Sequence, residues 1–569
     1  ELLDKYVGRL KVSERAKLNA TDGAAGDEFG YSVSIDGDTM VIAARKDDDK
    51  GPNSGSAYVY TRDTPGDLAS TWTQVAKLTA DDGAADGIFG WSVSIDGDTM
   101  VIGAHQDDDK GTSSGSAYVF TRDTAGDLGS GWTQVAKLTA DDGTGYDRFG
   151  YSVSIDGDTV VVGAQTDDDE GDNSGSAFVF TRDTAGDLAS GWTQVAKLTA
   201  GDGAASDYFG YSVSIDGDTM VVGAYFDDDK ATNSGSAYVY TRDTPGDLAS
   251  GWTQVAKLTA DDGADSDKFG YSVSIDGDTM VIGAYQDDDK GLNSGSAYVF
   301  TRDTPSDLAS GWTQVAKLTA DDGAAYDYFG ISVSIDGDTM VIAAYWDDDK
   351  GDKSGSAYVF TRDTAGELAS NWTQVDKLNA TDGAAGDEFG VSVSIDGDTM
   401  VIGAYQDDDD SGSAYVFSIH FPPCDASSPP ANGAVGDCTS VLESGTTCQP
   451  VCDPGYAVSG PSVCEDGVLS PAVCIPPCDA SAPPANGGVG DCTNELMSGT
   501  TCQPTCDVGY AASGPSTCED GVFSPAVCIG VLHLVADDIT DVDLSNNLVQ
   551  SWSDHTGNGL SLSSFVAAP

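Results

Sequence analysis

The sequence predicts an all-β chain: a seven-bladed β-propeller closed by its N-terminal strand, followed by two small disulfide-rich β modules. Three observations carry this expectation. The pair Phe-Gly recurs at a constant spacing of 60 residues, at Phe29-Gly30, Phe89-Gly90, Phe149-Gly150, Phe209-Gly210, Phe269-Gly270, Phe329-Gly330 and Phe389-Gly390. Each unit reads as four strands, and all twelve cysteines lie apart from the array, between Cys424 and Cys528. A short β unit repeated at a fixed period buries its apolar faces only against its neighbours. Near-copies also weigh against catalysis, because an active site is one unsymmetrical constellation.

The unit Asp261 to Ala320 shows how a repeat is built. Phe269-Gly-Tyr-Ser-Val-Ser-Ile275 alternates large and small residues at period two, as a strand requires. Asp276-Gly277 makes a tight hairpin turn, and Thr279-Met-Val-Ile-Gly-Ala284 is an apolar run suited to a strand covered on both faces. An acidic loop, Asp287 to Gly295, leads to a third strand, Ser296-Ala-Tyr-Val-Phe300. The polar turn Thr301-Arg-Asp-Thr-Pro305 precedes the fourth, Trp312 to Leu318. Four antiparallel strands per unit, sandwiched between similar units, describe a propeller blade.

Strand counting at the two ends predicts how the ring closes. The Trp-Thr-Gln-Val strand occurs only six times, at Trp72, Trp132, Trp192, Trp252, Trp312 and Trp372, and the seventh unit stops after Ser413 to Phe417. Val12 to Ala20, with Ala16-Lys-Leu18 in the place of Ala-Lys-Leu, supplies the missing strand. Closure removes edges that invite aggregation. The alternative is donation of this strand to another molecule, which would build a polymer.

The Phe-Gly opening, Val-Ile-Gly-Ala and Gly-Ser-Ala-Tyr-Val-Phe resemble FG-GAP repeats, the blades of the integrin α-subunit propeller and of many secreted microbial and algal proteins. The resemblance spans about residues 1 to 420 and implies fold more than activity. Integrin-type calcium blades carry Asp-x-Asp-x-Asp-Gly between the first two strands, where this chain has only Asp276-Gly277-Asp278 and its counterparts. That site is not carried over. Calcium remains the expected cofactor of a different loop, between strands two and three, where oxygens alternate as a bent loop around a hard cation requires. The candidate sets are Asp47, Asp49 and Asn53 with the Gly51 carbonyl; Asp107, Asp109 and Ser113; Asp167, Asp169 and Asn173; Asp227, Asp229 and Asn233; and Asp287, Asp289 and Asn293. The sixth copy has Lys353 and the seventh, Asp407 to Asp410, is shortened. Solvated carboxylates at a turn are the competing reading.

The net charge of -66, from 93 acidic and 27 basic residues, excludes bare nucleic acid and anionic membrane surfaces as partners, since phosphate contacts need clustered Lys and Arg. In an up-and-down blade the inter-blade loop and the loop between strands two and three share a face. In the 261 to 320 unit that face receives seven acids against Lys268 and Lys290, while the opposite face has four against Arg302. One rim is therefore the more negative and favours cations or basic partners.

The cysteines form two modules displaced by 54 residues: Cys424, Cys438, Cys448, Cys452, Cys464 and Cys474 correspond to Cys478, Cys492, Cys502, Cys506, Cys518 and Cys528. Six cysteines allow fifteen pairings, and the bridges imply an oxidising compartment. Cys452-Asp-Pro-Gly-Tyr456 and Ser459 to Cys464 resemble the sushi, or complement-control, module, with two extra cysteines and no Trp before the last. The resemblance implies Cys424 with Cys464 and Cys452 with Cys474, leaving Cys438 with Cys448, and likewise in the second copy Cys478 with Cys518, Cys506 with Cys528 and Cys492 with Cys502. Sequons at Asn19, Asn371 and Asn379 agree with secretion. No stretch approaches the ~20 apolar residues that span a bilayer, and a leader peptide is expected to be cleaved or to lie outside this segment. The expected domains are 1–420, 421–475, 476–529 and 530–569. In the last, Trp552 to Gly559 resembles the opening of laminin-G or concanavalin-like jelly rolls.

Catalytic patterns are missing. His105, His420, His533 and His555 are scattered, and Gly-Tyr-Ser-Val-Ser lacks the second Gly of a nucleophile elbow. Paired carboxylates are expected in exposed turns, where nothing splits their pKa values, and only small Ser and Gly side chains are expected in the channel. The expected function is a non-enzymatic extracellular protein, structural or adhesive, such as a subunit of a cell-surface coat or flagellar hair, with copies of itself as partners. A receptor-like module binding one ligand on the acidic face is the rival, and a carbohydrate-acting enzyme the third reading.

Overall fold

The computed structural model describes residues 11–420, 423–442, 446–465 and 468–530, with the backbone of short strands at 539–543, 548–553, 561–562 and 565–566. The chain divides into two compact units, residues 1–420 and 421–569.

The first unit holds seven four-stranded antiparallel sheets. In the fifth, Phe269–Asp276, Thr279–Ala284, Ser296–Arg302 and Trp312–Leu318 pair in sequence order. The third strand runs two residues past the expected Phe300, because Arg302 still pairs with Trp312. Val315 is bulged out of register between Gln314 and Ala316. The fourth place in the seventh sheet is filled by Lys11–Leu18, antiparallel to Ser413–His420, with Arg15 bulged at the equivalent position.

Neighbouring sheets bury one apolar layer between them. Val281, Val299 and Leu318 of the fifth sheet pack with Phe329, Ile335, Met340, Tyr358 and Phe360 of the sixth. Leu18, Val401 and Val416 pack in the same way with Phe29, Ile35 and Tyr58 of the first. Phe329 is 1 % exposed, and removing such a ring from water contributes about 1.5–3 kcal/mol. The invariant Gly after each Phe has two causes, shown by Gly270. Its φ is +86°, and a Cβ there would lie 2.3 Å from the Ser236 carbonyl oxygen of the preceding sheet. Only glycine permits both the turn and that approach.

Polar bonds repeat along with the core. The N–H of each hairpin Gly donates to the Asp carboxylate of the preceding sheet, as Gly277 does to Asp216 at 2.6 Å and Gly37 of the first sheet to Asp396 of the seventh at 2.8 Å. Arg302 donates through Nε to Asp278 and through Nη2 to Thr219 of the preceding sheet, and lies 4.5 Å from the Trp312 ring centroid. The seventh sheet replaces this Arg and Trp by Ile419 and Val12, which pack together.

In the second unit each cysteine-rich module holds three small β-sheets and three disulfides. Cys424 joins Cys464, Cys438 joins Cys448 and Cys452 joins Cys474; Cys478–Cys518, Cys492–Cys502 and Cys506–Cys528 repeat the order. Each module core is little more than its cysteines with Ala426 and Leu442, or Ala480 and Leu496. A bridge across 40 residues restricts the unfolded chain by about 4 kcal/mol on the loop-entropy account, more than so thin a core provides. In the 530–569 segment Trp552 lies in the strand Leu548–Ser553. The rest of the Trp552 to Gly559 motif, with His533 and His555, falls outside the described residues.

Candidate interaction face

The expected calcium ligands are brought together only in part, and around a different cation. Lys77 Nζ lies 2.7 Å from Asp22, 2.9 Å from Asp47 and 2.7 Å from Asp49. Lys137 holds Asp82, Asp107 and Asp109; Lys197 holds Asp142, Asp167 and Asp169; Lys257 holds Asp202, Asp227 and Asp229; and Lys317 holds Asp262, Asp287 and Asp289. The third ligand of each set is elsewhere. Asn53 donates its side-chain amide to Asp86, and the backbone N–H groups of Ser113, Asn173, Asn233 and Asn293 bond the middle aspartate of their loop. Sequence spacing missed the ammonium because the lysine comes from the fourth strand, 30 residues on.

Every tie but that of Lys197, where Phe178 stands, also includes a tyrosine. Tyr298 donates to Asp262 and Asp287 at 2.9 and 2.7 Å. Burial lowers the Lys317 pKa, but hydrogen bonds to three carboxylates more than reverse this and hold it above the ordinary lysine value. Lys17 repeats the tie in the seventh sheet with Asp382, Asp407 and Asp408. Asp322, Asp347 and Asp349 stand close enough to share a cation, and Lys377 Nζ is within 3.0 Å of each.

Not all the acids are in exposed turns, as was expected. Asp207, Asp267 and Asp327 are buried, and burial first, then neighbouring carboxylates, pushes each up to about 6. The cause is local: the loop between sheets folds back, so that Asp267 accepts from the Ala264 N–H at 2.6 Å.

The sheets differ from one another at four positions that meet at the centre of this face. Before the Phe stand Glu28, Ile88, Arg148, Tyr208, Lys268, Tyr328 and Glu388, all at positive φ. After the Gly stand Tyr31, Trp91, Tyr151, Tyr211, Tyr271, Ile331 and Val391. After the second strand come Arg45-Lys46, His105-Gln106, Gln165-Thr166, Tyr225-Phe226, Tyr285-Gln286, Tyr345-Trp346 and Tyr405-Gln406. Consecutive rings touch: Tyr31–Trp91 at 5.0 Å, Trp91–Tyr151 at 5.2 Å, Tyr151–Tyr211 at 5.0 Å and Tyr211–Tyr271 at 4.7 Å. Such tilted pairs each add about 0.5–1.5 kcal/mol beyond area burial.

The first three sheets give this centre a polar half. Arg45 stacks 3.5 Å from the Tyr31 centroid and pairs with Glu28, which also takes Lys46. His105 is 3 % exposed against Trp91, its Nδ1 has no partner, and burial pulls its pKa down to about 3. It is a neutral, wedged ring. Sheets four to seven give an aromatic half, with Phe226, Tyr328 and Trp346 half-buried. The expectation of small side chains alone is thus corrected. Ser and Gly do line the strands, but the flanking residues differ from repeat to repeat, and comparing the seven copies is the signal that finds them.

The opposite ends of the sheets hardly vary. Ser-Ile-Asp-Gly-Asp-Thr stands unchanged in all seven, and Thr-Arg-Asp-Thr in all six that carry it. Among the sequons, Asn19 and Asn379 spend their amides on Ser413 and Ser356, at 2.7 and 2.6 Å, while Asn371 is exposed. Each cysteine-rich module carries an apolar pocket, of about 480 Å³ around Pro429, Pro430 and Leu469 and about 420 Å³ around Pro483, Pro484 and Phe523.

Seven antiparallel sheets that repeat both core and polar ties define an all-β repeat protein. The family model of the FG-GAP repeat matches residues 12–60, 72–120, 132–180, 192–240, 252–300, 312–360 and 372–417, and the chain belongs to that family. Each match begins on the fourth strand of one sheet and ends on the third strand of the next. Residues 12–60 accordingly start on the strand that completes the seventh sheet. No curated protein matches the chain.

Proposed function

We propose that the protein is a non-catalytic extracellular component of a coat or filament, in which a closed seven-bladed propeller presents the centre of its Phe-Gly face to a partner. The observation that carries this reading is where the repeats differ. The contacts between sheets repeat from joint to joint, whereas the rings and charges gathered at the centre of the face change from sheet to sheet. Closure is supported by the Lys17 tie and by the Gly37–Asp396 bond, which give the joint between first and seventh blades the same chemistry as the others. Six disulfides support an oxidising, extracellular setting. The cysteine-rich modules act as sushi-like spacers, their bridges following the order that resemblance implied, and the segment 530–569 is a β region of laminin-G type.

Calcium has no structural part in this reading, since lysine supplies the charge it would bring; the acidic rim keeps the surface soluble and favours basic partners. Substitution at Tyr328, Trp346 and Phe226 is expected to abolish assembly or ligand capture while lowering the melting temperature less than loss of a repeated lysine tie does. Substitution of the opposite loops is expected to do the reverse. Imaging of the native material by electron microscopy should show filaments or sheets of propellers. Isolated monomers that bind one soluble ligand would favour the receptor reading, which the single unsymmetrical centre also fits.

A further inference from the structure

The basic residues of the array are rationed. Past the first strand, most belong to three repeated sets: the tie lysines, the stacked arginines, and Lys50, Lys110, Lys230, Lys290 and Lys350 in the acidic loops. The remainder, Arg45, Lys46, Arg148, Lys268 and Lys353, all stand at repeat-specific positions of the Phe-Gly face. Against them the same positions place only Glu28 and Glu388, so in a protein of net charge -66 these positions carry more basic than acidic side chains.

Lys268 is the outlier among the buried lysines. The tie lysines each meet three carboxylates; Lys268 is 6 % exposed and, among the described residues, has no ion pair. Its Nζ lies 3.3 Å from the Phe226 ring centroid and 5.8 Å from that of Tyr225. The ring face compensates an ammonium only in part, and burial pulls Lys268 down to about 8 while distant Asp228 opposes. Burial holds the Tyr225 hydroxyl above its ordinary value, and the Arg148 charge acts against that. Arg148 is exposed and unpaired among the described residues.

We propose that Lys268, with Arg148 and the Tyr225 hydroxyl, forms a receptor for a single carboxylate carried on a compact, partly apolar body. Buried cations without a counter-ion are costly, and a bound carboxylate removes that cost. The rim decides the size of the ligand. Its carboxylates repel any polyanion over several charges, while one carboxylate passing inside a Debye length of about 8 Å meets chiefly the local cations. Phe226 and Tyr208, with centroids 5.2 Å apart and planes tilted by 50°, offer the carrier an apolar corner. This inference stands whether or not the protein assembles into filaments.

The test is competitive trace acetylation of the intact protein, with each lysine read by peptide mass spectrometry. Lys268 should label faster than exposed Lys290 in the free protein. N-acetyl-aspartate methylamide and methyl glucuronide separate a peptide from a sugar source, and neutral methyl glucoside is the control. A bound carboxylate that raises the Lys268 pKa by one unit cuts its free amine, and hence its labelling, about tenfold. Saturable protection by either acid, absent with the neutral glucoside, is expected. Calorimetry should show that binding lost in Lys268→Met and weakened in Arg148→Gln, while Lys353→Met binds as the parent does. Protection equal for acid and neutral probes, no protection by either acid, or unchanged affinity in a natively melting Lys268→Met protein would overturn the proposal.

Discussion

The two ends of the same seven sheets differ in how far they repeat. At the hairpin end every sheet carries the same Asp, Gly and Thr, six of the seven carry the same Arg, and these residues tie neighbouring sheets together. At the Phe-Gly end the shared residues again serve internal bonds, the Lys ties among them, but an unmatched set of rings and charges stands inside them. Repetition marks contact between sheets, and the proposed partner site is placed where the sheets differ.

The sharpest way to break that comparison is to remove a repeated contact. Lys317→Met leaves Asp287, 4 % exposed, without its ammonium, and should cost about 3–5 kcal/mol in urea unfolding of the array. Lys290→Met, a few residues from the same loop but outside the tie, should stay within about 0.5 kcal/mol. At the other end, Arg302→Lys keeps the charge but loses the fork to Asp278 and Thr219 and the stack on Trp312, for about 1–2 kcal/mol. The variable centre should respond differently. Tyr328→Ala removes a half-buried ring and should lower stability least of these while altering binding most, as melting and pull-down on one preparation would show.

Acidity sharpens the comparison further. Asp207, Asp267 and Asp327 have folded-state values near 6, raised from 3.8, so the folded chain holds more protons than the unfolded chain between those limits. Stability contributed by their protonation is present below pH 3.8 and is lost as pH rises through 6. Burial also pushes Asp202, Asp262 and Asp322 up, but the tie lysines and tyrosines outweigh it and hold them low, so their contribution is lost as pH falls below 3.8. Melting temperature should accordingly be highest near pH 4, fall as pH rises to about 6 and level off above that. The smallest effect expected is that of chelation. EDTA should leave the melting temperature unchanged, and a large fall would restore calcium to the ties.

Much of this fold was legible in the sequence. The period of 60, the Gly after Phe and the six-against-seven count of the Trp strand lead to seven sheets and to Lys11–Leu18 as the missing strand. What stayed hidden depended on distant residues. Asp47 and Asp49 read alone resemble a chelating loop, and only folding brings Lys77 between them. Glu388 sits where Glu28 does, yet Tyr405 and Gln406 replace its Arg45 and Lys46, so identical motifs acquire different surroundings. The rings at the centre were visible letter by letter but gained meaning only once the sheets brought them together.

The account rests on a ring sealed by its own first strand. Ser13 and Ser418 face each other across that joint; the double variant Ser13→Cys, Ser418→Cys, oxidised and run without reductant, measures the connection. The ring predicts one intramolecular bridge in a monomer, located by peptide mapping. A ladder of covalent dimers and higher oligomers through the same two cysteines would show the strand donated between molecules and contradict it.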